Sequence, residues 1–230
     1  MRTYASLLLA LVFMAGCLSM PDPVKDEFLV EQTAAQKQKL DSLAQEIIAK
    51  RKEKEKVDEA LKITVQKVVI AKKEIPVLEK ENETLVEKQK LYTIENNDAM
   101  VKKTNDDIAA NQTALARQKA YLKYLQALED DQEAQIELRH AELAVYVSEM
   151  EFEKAKIARV YQQKEFGETD TPETAKDGKA EKHLIDVATY ENYHVKQKSI
   201  LASKTEKQKK SAEALKAAQK EMQDSGYTEK

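Results

Sequence analysis

The chain has 230 residues, of which 34% are charged and only 6% aromatic, with 4 glycines, 4 prolines, 1 cysteine, no tryptophan and a formal net charge of -3. The slightly acidic balance gives no reason to expect nucleic acid as a partner. The single cysteine excludes a disulfide framework and any cysteine-based zinc site, and so few glycines leave little material for phosphate loops or strained catalytic turns.

The first elements in chain order are short. Met1 and Arg2 supply a positive start, and residues 4–13 are apolar throughout. That run is too short to span a bilayer, which takes about 20 residues, but it suits the apolar region of a signal peptide. Small residues then lead into a cysteine, Met14-Ala15-Gly16-Cys17. This segment resembles a bacterial lipobox, whose usual form is Leu-Ala/Ser-Gly/Ala-Cys; the departure is Met at the first position. The resemblance covers the first 17 residues and implies cleavage before Cys17, lipid on its sulfur and acylation of the new amino terminus. Two or three acyl chains at about 0.8 kcal/mol per buried methylene make a firm anchor. Leu18, where an aspartate would retain the chain at the inner membrane, resembles the outer-membrane sorting pattern of enteric bacteria. Residues 1–16 are thus expected to be a signal peptide, and 17–23, with Pro21 and Pro23, a short tether.

A helical body is expected from near Val24, with Asp26 and Glu27 favouring a helix N-terminus. Steps of three and four from Leu40 give Leu40, Leu43, Ile47, Lys50, Lys54, Val57, Leu61, Thr64, Val68, Ala71, Ile75 and Leu78. Nine of these twelve are apolar, which reads as a coiled-coil stripe. Pro76 is expected to kink or interrupt it. A second stripe takes every seventh residue from Ile94 through Val101, Ile108, Leu115, Leu122, Glu129, Ile136, Leu143 and Met150 to Ile157, and nine of the ten are apolar. Its companion positions are mixed, with Asn111, Gln118, Leu125 and Gln132 among them, so the seam is expected to be narrow. The two stripes are out of phase. Residues 24–166 are therefore read as a long helical hairpin, with a tip somewhere in 96–107, and arms of about 100 Å at 1.5 Å per residue.

Residues 167–179 hold Gly167, Pro172 and Gly178 and read as a loop. A third helix is expected over 180–222 and a polar tail over 223–230. From Tyr124 to Asp170 there are 12 acidic and 5 basic residues, net -7; from Lys176 to Met222 there are 11 lysines and 7 acidic residues, net +4. Opposite charge on consecutive helices favours antiparallel pairing. The fold class expected is all-α: an elongated antiparallel helical hairpin or coiled coil with a third, C-terminal helix.

Few residue patterns carry chemistry. Glu137-x-x-His140 and Glu191-x-x-His194 each place Glu and His on one helical face, and di-metal four-helix bundles use two such motifs plus two further glutamates. This chain supplies three helical arms, not four, and Glu137 and His140 flank the apolar seam, so neither a metal nor another cofactor is expected. His183 reads as a solvent residue. The lysines at 204, 207, 209, 210, 216 and 220 read as a solvated face, because Glu206, Glu213 and Glu221 intersperse them. The C-terminal Lys230, together with Cys17 and a helical body, resembles Braun's lipoprotein, a helical outer-membrane lipoprotein. That resemblance implies a side-chain link from Lys230 to peptidoglycan, although that family has one short helix where three are read here.

The expectation for function is a non-enzymatic, lipid-anchored protein of the bacterial envelope, on its periplasmic or surface side. It would act as a coiled-coil spacer or scaffold. Its partners would be the membrane, through Cys17, and proteins or further copies of itself, through the helical seams, with no small-molecule substrate. An accessory or adaptor of an envelope transport system and a surface-exposed binding lipoprotein are the alternatives.

Overall fold

The computed structural model describes residues 20–166 and 184–227. Among them are one short 3-10 turn, Asp26–Leu29, and three α-helices: α1, Ala34–Ile94; α2, Asp98–Phe166; and α3, Val187–Asp224. There is no strand among the described residues, and the all-α expectation holds. The chain divides into two compact units, to each of which every helix contributes.

The first unit comprises residues up to 50 together with 141–201. Here α1 and α2 run antiparallel: partners on α2 fall in number as those on α1 rise, from Lys39–Glu153 at 2.6 Å to Lys50–Glu142 at 3.5 Å. Helix α3 lies antiparallel on α2 in turn, with Ser148 against His194 and Arg159 against Ile185. Val24, Leu29, Ala155, Ile157 and Ala158 form its core, with Phe28, Leu40, Val187 and Tyr190 packed against them. The alanines matter because they let backbones approach while larger side chains fill the remaining space.

The second unit comprises residues 51–140 and 202 onward. Glu53 meets Arg139 at 3.2 Å, Glu74 meets Gln118 at 2.6 Å, and Gln89 meets Asn105, again an antiparallel order. On the other side of α2, Glu137 receives Lys204 and Lys207, Asp131 receives Ser211 at 2.9 Å, and Lys123 pairs with Glu221. The antiparallel α2–α3 pairing expected from charge is thus present. Val68, Ala71 and Leu125 are the buried core, flanked by Tyr121, Leu122 and Tyr124.

Several boundaries differ from the sequence expectation. Helix does not begin near Val24. The Val24 N–H is satisfied by the Glu151 carboxylate at 2.9 Å, and Phe28 and Leu29 pack in or against the core, so this stretch forms only the 3-10 turn and not an α-helix. The helix starts after Thr33, whose hydroxyl accepts the Gln36 N–H while the Gln36 side chain accepts the Thr33 N–H. That reciprocal pair is a capping box. Pro76 ends nothing: α1 runs through it. Pro76 and Lys72 are both exposed, so the carbonyl that loses its hydrogen bond faces water.

The reversal falls on residues 95–97, at the start of the expected range. Asn96 takes φ 53°, its N–H bonds to the Thr93 carbonyl, and the Asn97 N–H reaches back to the Tyr92 carbonyl. This is a Schellman ending with asparagine in the left-handed position. The Asn97 side chain then accepts the Met100 N–H, capping α2.

Helix α3 begins at Val187, not near 180. Asp186 caps it, accepting the Ala188 N–H and the Thr189 hydroxyl. The expected loop over 167–179 lies outside the described residues. The expected polar tail is docked as far as Tyr227: Arg117 donates to the Ser225 carbonyl, and Tyr227 stacks on Tyr121 with centroids 4.2 Å apart.

The first stripe is correct residue by residue. All twelve of its positions are buried or half-buried. In the second, nine of the ten positions, all but Ile94, are buried or half-buried as well. Of the mixed companions, Asn111, Gln118 and Leu125 are buried and Gln132 half-buried, and Thr104, one heptad before Asn111, is buried too, while Val101, Ile108, Leu115 and Leu122 are half-buried. Further along α2 a different row is buried, Ala134, Ala141, Ser148, Ala155 and Gln162. The reason is that α2 is sandwiched: it faces α1 on one side and α3 on the other, so it carries two seams, and one narrow stripe does not describe it.

Candidate functional site

The densest buried polar chemistry lies in the first unit, where α2 meets α3 and the segment that precedes α1. Several of these groups have an identifiable task. Glu151 accepts the Val24 N–H and the Lys154 ammonium, the latter at 3.0 Å. Gln162 accepts the Ile185 N–H at 2.8 Å, and the Tyr190 hydroxyl donates to the Asp22 carbonyl at 2.8 Å. Two non-helical segments, 20–33 and 184–186, are thereby pinned to α2 and α3 through backbone groups that would otherwise be unsatisfied. Burial raises the Tyr190 phenol above its ordinary value, and the nearby charges of Glu151 and Asp22 push it the same way. The hydroxyl therefore stays protonated and serves as a donor.

Beside this belt, His194 is buried on α3, with Nδ1 3.0 Å from the Ser148 hydroxyl and its ring stacked on Phe152. Burial lowers its pKa below the ordinary value, the Lys198 charge adds to that, and Glu149 and Glu153 oppose it. The Ser148 hydroxyl also donates to the Val145 carbonyl at 2.8 Å, so in the neutral imidazole Nδ1 and this hydroxyl belong to one closed internal network. Such a serine is occupied in packing and is not poised as a nucleophile.

The two Glu-x-x-His motifs do not converge. Glu137 and His140 belong to one unit and Glu191 and His194 to the other. Glu137 is taken up by Lys207 and Lys204, whose hydrogen bonds hold its carboxyl below the ordinary range against the effect of burial. His140 and Glu191 are exposed, and His194 is engaged with Ser148. Among the described residues no group of three or more His, Cys, Asp or Glu side chains is placed to hold a metal ion. Cys17, His183 and Lys230, the other residues singled out from sequence, lie outside the described residues.

The concavities are open grooves. One of about 780 Å³ lies within the second unit and is lined by Ile70, Ala71, Val77, Leu78, Tyr121 and Tyr227 among others. No helix of the described residues is long and apolar enough to cross a membrane.

Sequence reasoning missed three of these features. The Thr33–Gln36 cap was readable as Thr-x-x-Gln ahead of an apolar run. The Glu151–Val24 and Tyr190–Asp22 pins join residues more than 120 positions apart, and no local pattern signals them. The Tyr121–Tyr227 stack likewise has no periodic signature. The class these observations define is an all-helical protein of long paired helices with polar seams. Compared with known proteins, the chain matches no family model, no curated protein and no solved structure.

Proposed function

We propose that the protein is a lipid-anchored scaffold or spacer of the bacterial envelope, carrying lipid on Cys17 and presenting a body of antiparallel coiled-coil helices to partner proteins. The observation that carries this reading is the lipobox-like Met14-Ala15-Gly16-Cys17, with the only cysteine of the chain at the position where the lipid is attached. The belt in the first unit supports it. Within residues 20–33, which continue the proposed tether in sequence, Val24, Leu29 and the Asp22 carbonyl are held by Glu151, Ala155–Ala158 and Tyr190. A load applied along such a tether is received by buried hydrogen bonds and apolar packing on two helices, so it is spread before it reaches any frayed end.

In this reading the chain performs no catalysis. Its polar side chains are used to pair helices with each other, as Glu153 illustrates. Burial pushes the Glu153 carboxyl up, yet hydrogen bonds from Lys156 and Lys39 outweigh that and hold it below its ordinary value. Lys39 is raised correspondingly, first by that hydrogen bond.

The test is metabolic labelling. The full chain is expressed in a Gram-negative host with a clickable fatty acid, beside Cys17→Ala. Label on the parent and none on the variant is the expected result, and unlabelled parent protein in the soluble fraction refutes the anchor. Recovery of envelope proteins by cross-linking then tests the scaffold separately.

A further inference from the structure

We propose that two copies of this chain associate in parallel and in register through the outer face of α1 in the second unit. Four apolar residues there are more than half exposed: Ile63 is 58% exposed, Ile70 56%, Val77 66% and Leu91 52%. They are seven residues apart, with Thr84 filling the remaining place, so they form one row that winds slowly around the helix as a coiled-coil seam does. This is not the seam that α1 offers to α2, which uses Thr64, Val68, Ala71, Ile75 and Leu78. At Ile70 and Val77 the row borders the groove closed on its far sides by Tyr121 and Tyr227. A row of four large apolar side chains at a coiled-coil repeat is costly to leave in water and matches a second helix with the same repeat.

The charges beside the row select the occupant and its direction. On one side stand Lys73, Lys80 and Glu87; on the other, Glu74, Glu81 and Lys88. In a parallel, in-register pair the opposite flanks face each other. Lys73 then lies beside Glu74 of the second copy, Lys80 beside Glu81, and Glu87 beside Lys88. Every such pair is of opposite sign, and each is repeated by symmetry. The hydrogen bonds that Glu74 and Glu81 accept from Gln118 and Asn111 hold these carboxylates beside the row without neutralising them.

An antiparallel pair that uses the whole row must be centred on Val77, and there like flanks face each other. Lys73 then meets Lys80, Glu74 meets Glu81, and Lys67 meets Lys88, all repulsive. Only the parallel arrangement places every apolar residue of the row against its own copy and sets Lys73, Lys80 and Glu87 against charges of opposite sign, while Lys67 faces the neutral Gln66.

The proposal does not depend on the lipid anchor, and its test removes that anchor. In the full chain with Cys17→Ser, a single cysteine is introduced at Val77 or at Thr84, and mild oxidation is followed on non-reducing gels. Parallel, in-register association cross-links both variants, whereas any antiparallel two-fold pairing brings together at most one of the two positions. In parallel, sedimentation equilibrium compares the parent with Ile70→Glu. Because Ile70 is more than half exposed, the variant keeps its circular dichroism, while its dimer dissociation constant rises by at least about tenfold. A parent that stays monomeric at high micromolar concentration overturns the proposal. So does a dimer unmoved by Ile70→Glu, or a cross-link at one position alone.

Discussion

His194 shows how a single buried side chain sets a pH response. It lies against Ser148 and Phe152 of α2, with Lys198 on its own helix and Glu149 and Glu153 across from it. Its folded pKa lies below the ordinary 6.5, chiefly because burial disfavours the imidazolium. The unfolded chain therefore binds the proton first as pH falls. Stability from this site is complete above about pH 6.5 and declines as the pH drops below it towards the folded value. Thermal unfolding followed between about pH 7.5 and 5.5 should show a falling midpoint for the parent and a flatter line for His194→Gln. Equal slopes would mean that the ring accepts its proton without disturbing the α2–α3 contact.

Nothing in the residues around His194 announced this. The Glu-x-x-His spacing drew attention to the right histidine for the wrong reason. It placed His194 on a face with Glu191, but the partner that matters, Ser148, is 46 positions away. Local spacing reports which residues share a helical face; it does not report what packs against that face.

At the scale of the element, the ends of the helices are set by a few side chains whose removal has a calculable cost. Thr33→Ala breaks the capping box and should cost about 1 kcal/mol. Asn96 holds φ 53° at the reversal, so Asn96→Ala should cost about 1 kcal/mol while Asn96→Gly should be neutral or slightly stabilising. Urea unfolding of the three variants checks both statements. If Asn96→Gly proved as harmful as Asn96→Ala, the cost would lie in the lost side chain and not in the backbone conformation.

The interior of α1 was legible because one face of it meets one neighbour, so the three-and-four spacing from Leu40 to Leu78 maps directly onto burial. Pro76 did not break that face because it falls on the exposed side of the helix, two positions from Leu78. The interior of α2 was less legible. Its buried row in the second unit contains Thr104, Asn111 and Gln118, which a hydrophobicity pattern scores as outward-facing. Gln118 and Asn111 are accommodated by the carboxylates of Glu74 and Glu81, partners that only the pairing of the helices supplies.

For the whole molecule, the many lysine–carboxylate contacts invite the view that charge holds the helices together. Many of them are exposed, as in Lys119–Glu79 and Lys123–Glu221, and an exposed pair contributes only about 0 to 1 kcal/mol and is screened by salt. Burial of Leu125, Val68, Ala71, Ala155 and Ala158 is unaffected by screening. Raising sodium chloride from about 0.05 M to 1 M should therefore move the thermal midpoint by no more than a few degrees. A collapse of the transition at high salt would instead make the ion pairs the principal support of the fold.

Composition, the heptad spacing of α1 and the charge contrast between α2 and α3 were enough to determine an all-helical chain with antiparallel α2–α3 pairing, because these properties depend on neighbours within a few turns of one helix. The tertiary structure decided where α1 begins, which face of α2 serves which neighbour, how residues 20–33 and 184–186 are pinned, and which apolar row of α1 is left uncovered. Those outcomes depend on contacts between residues tens to more than a hundred positions apart, and a single helix carries no trace of the surface that will meet it.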